Sequence, residues 1–292
     1  KASDLDHVAI ATKKLVHTNM HNIVAGFENE DYWKMHTEYY YPILYEGKKM
    51  KLKEVFPDYV PKGDMSYPLE KVPFMSTNEI EGDELGELHK LRKEFVASFL
   101  DINEGKINFY NHHMCHAMFG YYTNLHNHSR TAVVTSDGGG DGTYTTVSLV
   151  EDGKFTLLSD AHNSLIGKIY AAVTLLLGMN PHRHPYKVMG LAPYAGEHYK
   201  EGPREVFLKS LRVKGLEFER DTEMKDFFFY FRDKLKTYRF DGIAGAVQDF
   251  TEIRLLEWFE NIVDETGVRN FVFVGGVANN VKATMHLIDK LD

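Results

Sequence analysis

The chain has 292 residues, a formal charge of −8 and 43% hydrophobic residues, enough for one large domain or two ordinary ones with a sizeable core. Lys and Arg are scattered rather than clustered, which argues against an extended nucleic-acid surface. A single cysteine, Cys115, excludes an internal disulfide and a cysteine-based zinc knuckle, and the longest apolar run, "AAVTLLLGM" from Ala171, is about half of a membrane span. A cytosolic enzyme is the plain expectation.

In chain order, "DHVAIAT" (6–12) predicts a strand, being short, apolar and β-branched. Residues 16–99 are aromatic and charged, with helical stretches and a Pro-containing connector, "FPDYVPKGDMSYPLEKVPF". They read as an elaboration on a core fold and are given no chemistry. "KINFYNHH" brings the chain back as a strand, and "HHMCHAMFGYYTNL" opens a helix. "RTAVVTSDGGGDGTYTTVSLVEDGKFTLLSDA" gives a buried strand, a glycine-rich turn, a second strand, the turn "EDGK" and a third strand. "LIGKIYAAVTLLLG" is an apolar-faced helix ended by Gly178, and "MNPHRHPYKVMGLAPYAG", with three prolines, is a loop. A long helix stopped by Gly267 feeds the strand "NFVFVGG", followed by the helix "VANNVKATMHLIDKL". Two strand–glycine units lie about 140 residues apart. Such units present backbone N–H groups to phosphate, so the elements predict an α/β protein that binds a nucleotide between two lobes.

Three stretches point to chemistry. In "SDGGGDG", Asp137 at a strand end could hold a metal while Gly138, Gly139 and Gly140 offer N–H groups to phosphate; a plain hairpin connection is the other reading. "VGGVANN" is the second glycine turn, where Gly275 and Gly276 admit close backbone approach and Asn280 supplies an amide. In "FYNHHMCHAMFGYY", His112 and His116 stand at i and i+4, the spacing that lets two imidazoles on one helix face grip one ion. With Asp137 they would form an N/O site suited to iron, manganese or zinc; burial as aromatic-packed core is the alternative. Cys115 lies off that face. The stiff basic loop "HRHPYK" could reach a substrate anion, with Lys187 at its end, or be merely solvated.

Taken in order, "HHMCHA", "DGGGDGT", "KVMGLAPY" and "GGVANNVK" resemble the nodulation-type O-carbamoyltransferases, from about Ile107 to the end; "DLDHVAIA" resembles them more loosely. The resemblance implies the actin, Hsp70 and sugar-kinase (ASKHA) fold with ribonuclease-H-like lobes, incomplete here at both ends. It makes residues 1–292 a partial transferase domain, 107–292 its motif-bearing core, and expects a YrdC-like domain beyond it. It further implies ATP and carbamoyl phosphate as the source of carbamoyladenylate, a small-molecule hydroxyl acceptor and a divalent metal, often iron. By motif, His112, His116 and Asp137 correspond to the metal ligands. Gly138 to Gly140 correspond to the phosphate turn, Gly167 to a nucleotide-facing glycine, and Gly275, Gly276 and Asn280 to the adenosine side. His113 is a candidate general base by sequence proximity alone. Pro185 and Tyr186 stand where relatives carry a small flexible pair. No membrane partner is expected, and a homodimer is compatible. The rival expectations are a small-molecule kinase or ATPase on the same fold, and a non-enzymatic nucleotide-binding module.

Overall fold

The computed structural model describes residues 2–14, 27–57, 83–125, 129–163, 165–221 and 223–291. The chain separates into two compact units, Lys1–Cys115 with Gly140–Gly142, and His116–Gly139 with Thr143–Asp292.

In the first unit, β1 (Val8–Ile10) pairs in parallel with β2 (Ile107–Phe109), Val8 opposite Ile107. Parallel neighbours need a long crossover. The intervening chain supplies α1 (Asn29–Lys34), a π-helical stretch (Met35–Tyr40), α2 (Tyr41–Glu46), α3 (Leu52–Val55) and α4 (Asp83–Leu100). Of the elaboration at 16–99, only 27–57 and 83–99 are described; most of the proline-containing connector lies outside the described residues. The aromatic residues there build a small core of their own. Phe27 is fully buried against Tyr32 and Phe56, at ring-centroid distances of 5.4 and 4.8 Å.

Two side chains of α4 fix the loop that follows β1. Arg92 donates to the Thr12 carbonyl at 3.2 Å, and the His89 ring nitrogen Nε2 lies 2.6 Å from the Lys13 carbonyl. Both also pack on Phe109 of β2, the imidazole stacked at 4.2 Å and the guanidinium 4.6 Å from the ring. The amide side of the same loop is held by Asp141. Its carboxylate accepts from the Thr12 hydroxyl at 2.8 Å and from the Lys13 and Lys14 N–H groups. It also accepts from the His112 N–H at 2.8 Å, at the start of α5 (His112–Thr123).

The second unit is built on a four-stranded mixed sheet, order β5-β4-β3-β8, with β3 (Arg130–Gly140), β4 (Thr143–Glu151), β5 (Lys154–Ala161) and β8 (Phe271–Val274). β4 and β5 are antiparallel, while β3 and β8 are parallel, Ala132 opposite Phe271. Side chains alternate along a strand, so a run buried on both faces must be covered twice. Val133 joins Ala117 and Tyr121 of α5 on one face, where Gly120 leaves room for Val272 and Val274. Ala132 and Val134 join the larger core on the other.

That core is supplied by α6 (Ile166–Leu176), α7 (Pro185–Leu191), α8 (Glu197–Ser210), the hairpin β6 (Leu211–Lys214) and β7 (Glu217–Arg220), α9 (Phe227–Leu235), α10 (Phe240–Thr266) and α11 (Val281–Leu291). Phe250, Trp258 and Phe259 of α10 are buried, each worth about 1.5–3 kcal/mol for its apolar surface. The Trp258 indole donates to the Leu216 carbonyl at 2.8 Å, so its one polar atom is satisfied. α10 stops at Gly267 in the left-handed conformation, φ 68°.

Three expectations are corrected. Gly138 to Gly140 belong to β3 rather than to a turn, because the strand continues to Gly140; the turn is Asp141–Gly142. The proline-rich segment after Gly178 is not a plain loop. Pro185 sits in the first turn of α7, where a missing N–H costs nothing, and the Asn180 side chain folds the turn before it by accepting from the His182 and Arg183 amides, both at 3.0 Å. Finally, β8 ends at Val274, a 3₁₀ turn occupies Gly276–Asn279, and α11 begins only at Val281. No helix among the described residues is long and apolar enough to cross a membrane.

Candidate metal centre and adjoining cavity

α5 is a single unbroken helix and carries His112 and His116 one turn apart. Asp137 projects from β3, and its Oδ2 lies 3.1 Å from His116 Nε2. Each of these side chains is also held by neighbours within its own unit, an arrangement compatible with ligation. His112 Nδ1 lies 3.1 Å from the Ala11 carbonyl, which can only accept, so that bond places the proton on Nδ1 and leaves Nε2 as a donor atom for an ion. Asp137 Oδ1 accepts from the Gly138 N–H at 2.7 Å, which orients the carboxylate. A Cβ at Gly140 would overlap the His112 ring, so the glycine is the cradle of that imidazole. Two imidazoles and a carboxylate fit a first-row transition ion better than magnesium or calcium, which favour all-oxygen sites.

Cys115, between the two histidines in sequence, is not a ready thiolate. Burial first, and the Asp141 carboxylate second, push its thiol up. His113 is fully buried.

Asp137 also lines a cavity of about 460 Å³ within the second unit. The volume falls in the range of small-molecule sites, roughly 300–1,000 Å³. Its floor is the backbone of Gly138, Gly167 and Gly276, and its apolar wall includes Tyr170, Met189 and Val277. Two of these glycines answer to space. A Cβ at Gly276 would stand 2.6 Å from Asp137 Oδ1, and one at Gly167 would stand 3.2 Å from the Asp137 carbonyl oxygen.

Of the expected cofactor-binding residues, Gly138, Gly167, Gly276 and Asn280 line this cavity, whereas Gly139, Gly140 and Gly275 do not. Gly139 (φ 122°) lies against Tyr144, and Gly275 (φ 101°) turns the chain over the Ser136 carbonyl. Asn280 is already engaged. Its Oδ1 accepts from Gln248 Nε2 (3.1 Å) and from the Ala283 N–H at the start of α11 (3.1 Å), and its Nδ2 donates to Gln248 Oε1 (2.9 Å). The buried Tyr170 hydroxyl completes the set by donating to the same Gln248 oxygen at 3.0 Å, and burial holds that phenol protonated. One Nδ2 hydrogen of Asn280 is left over from these bonds. Lys187 is exposed and off the cavity. From its loop, His182 and Arg183 reach the cavity instead, with Tyr186.

Lys168 escaped the sequence reading. It follows Gly167 in the first turn of α6 and lines the cavity; burial lowers its pKa, and the Asp137 carboxylate partly offsets this. The available signal was a lone charge in the apolar stretch "LIGKIYAAVTLLLG".

The chain belongs to the family described as carbamoyltransferase N-terminus, which matches residues 3–291. It is similar to two uncharacterized proteins of Methanocaldococcus jannaschii. One is 28% identical over 247 residues, 78% of this chain and 46% of the relative; the other is 24% identical over 285 residues, 89% and 44% respectively. An uncharacterized protein of Synechocystis is 26% identical over 196 residues, 62% of this chain and 32% of its own. The chain thus spans less than half the length of the curated relatives it matches.

Proposed function

We propose that this chain is the acceptor-side domain of an O-carbamoyltransferase, which moves a carbamoyl group from carbamoyladenylate to the hydroxyl of a small molecule. The observation that carries this reading is the His116–Asp137 pair, whose carboxylate also lines a cavity of nucleotide size, in a chain of this family. We assign the chain, as a partial domain, to the actin, Hsp70 and sugar-kinase superfamily. Residues 107–292 would be the core, 16–99 an elaboration, and a YrdC-like domain of the same polypeptide would make carbamoyladenylate from ATP and carbamoyl phosphate.

His112, His116 and Asp137 would hold a divalent ion, with iron the first choice and manganese or zinc compatible with the same donors. Bound there, it would supply a Lewis-acidic positive charge beside the departing phosphate. The chain's own part is to position. The Ala11 carbonyl keeps the His112 ring in one tautomer, and Gly138, Gly167 and Gly276 let backbone approach the ligand closely. The apolar wall of Tyr170, Met189 and Val277 excludes water from one side. His113, fully buried and away from the cavity lining, is given no step.

The test follows nucleotide products from the gene product that carries this chain, given ATP and carbamoyl phosphate. AMP and pyrophosphate, formed only with carbamoyl phosphate present, are expected. ADP in their place would overturn the reading in favour of a kinase or ATPase.

A further inference from the structure

Charge in the cavity is unbalanced. Among its lining residues Lys168 and Arg183 are cationic and Asp137 alone is anionic. Asp137 is moreover engaged by His116 and by the Gly138 N–H. Arg183 is exposed at the rim, where water screens it, but Lys168 is not comparably solvated. Among the described residues Lys168 makes no hydrogen bond and no ion pair within 4.0 Å, a costly state for a lysine withdrawn from water. The other sheltered lysine of this unit, Lys200, shows the usual remedy, pairing with Asp249 at 3.0 Å and with Glu197 at 2.7 Å.

Lys168 is also placed where an anion is met from two directions. It stands in the first turn of an eleven-residue helix whose preceding residue, Leu165, caps nothing with its side chain. Among the described residues, the first-turn N–H groups therefore lack a side-chain acceptor. Gly167, beside it, packs against the Asp137–Gly138 backbone, and Lys168 lies close enough to the Asp137 carboxylate to feel its charge.

We propose that Lys168 is the anion-binding residue of this cavity, and that the group it takes is a phosphate of the bound nucleotide. This rests on the reading of the cavity as a nucleotide site, and it adds a discrimination. A phosphorylated nucleoside is held more tightly than the bare nucleoside, because only the former completes Lys168.

The experiment is calorimetric titration of the chain, and of its Lys168→Gln and Lys168→Arg variants, with AMP, adenosine and pyrophosphate. Circular dichroism of each variant verifies folding. Lys168→Gln is expected to weaken AMP and pyrophosphate tenfold or more and adenosine less than twofold, with Lys168→Arg restoring most of the loss. Equal AMP affinity in wild type and Lys168→Gln would overturn the role of Lys168 while leaving the nucleotide site standing. Pyrophosphate binding that depends on Lys168, without any affinity for adenosine or gain from it in AMP, would keep the anion site and remove the nucleotide. Failure of wild type to bind any of the three would overturn both.

Discussion

Gly140 lies directly beneath the imidazole of His112, so close that a single methyl group on its Cα would overlap the ring. The glycine is buried in β3 and the histidine opens α5, so neither backbone can give way freely. Gly140→Ala is expected to cost about 1–3 kcal/mol of stability, as overpacked positions do. The displaced ring should also weaken metal binding tenfold or more. Urea unfolding and a metal titration on the same preparation read the two effects separately.

His116 has a narrower task. Its ring is partly exposed and lies 3.1 Å from the Asp137 carboxylate. His116→Ala is therefore expected to lose most bound metal while unfolding within about 1 kcal/mol of wild type, since an exposed pair of this kind is worth little by itself. Full metal content in this variant, by elemental analysis, would remove His116 from the ligand set.

The two glycines after β8 should fail in different ways. Gly275 has φ 101° and faces the Ser136 carbonyl, so Gly275→Ala is strained in both conformation and space, and a loss of about 2–4 kcal/mol is expected. Gly276 has an ordinary φ, and its added Cβ would meet only the Asp137 carboxylate at 2.6 Å, a side chain that can rotate. Gly276→Ala should leave the melting temperature within a few degrees and lower metal or nucleotide affinity instead. Equal destabilisation of the two variants would contradict this division.

The elements were legible where a single period governs them. The strand in "RTAVVT" and the helix ended by Gly267 follow from local sequence, and the i, i+4 histidines meet because one helix carries both. What local pattern could not supply is partnership across the chain. Gly138 to Gly140 look like a turn until the strand is seen to run through them, and Asn280 looks like a free amide until Gln248 is found opposite it. α7 was hidden by its prolines, although Pro185 in a first turn is a start signal rather than a break. Lys168 was passed over because its helix reads as core, and only the cavity shows that one residue of the first turn faces elsewhere.

Acid should act first on the first unit. Burial lowers the pKa of His36 from 6.5 to about 4. Below pH 6.5 the unfolded chain takes up a proton that the folded chain refuses until about pH 4, so stability falls as pH drops through that window and levels off beneath it. Allowing for the ring's partial contact with solvent, the loss is on the order of 2 kcal/mol. His36→Gln is expected to flatten the profile between pH 6.5 and 5, above the range where most carboxylates titrate. An unchanged slope in chemical denaturation across that interval would place the sensitivity elsewhere.

Asp141 and Ala11 give His112 a history as well as a position. The carboxylate that anchors the start of α5 binds a loop 127 to 129 residues earlier in the chain, and the carbonyl that sets the imidazole is 101 residues away. Contacts of such separation are closed late in folding, after the local helices and hairpins exist. A nascent chain can therefore form α5 with its two histidines and still lack an oriented His112, because the first strand must return before Nδ1 has its acceptor. If the proposed centre takes a metal, loading becomes a report on completed folding, and a chain whose opening segment fails to dock would leave His112 without the contact that orients it.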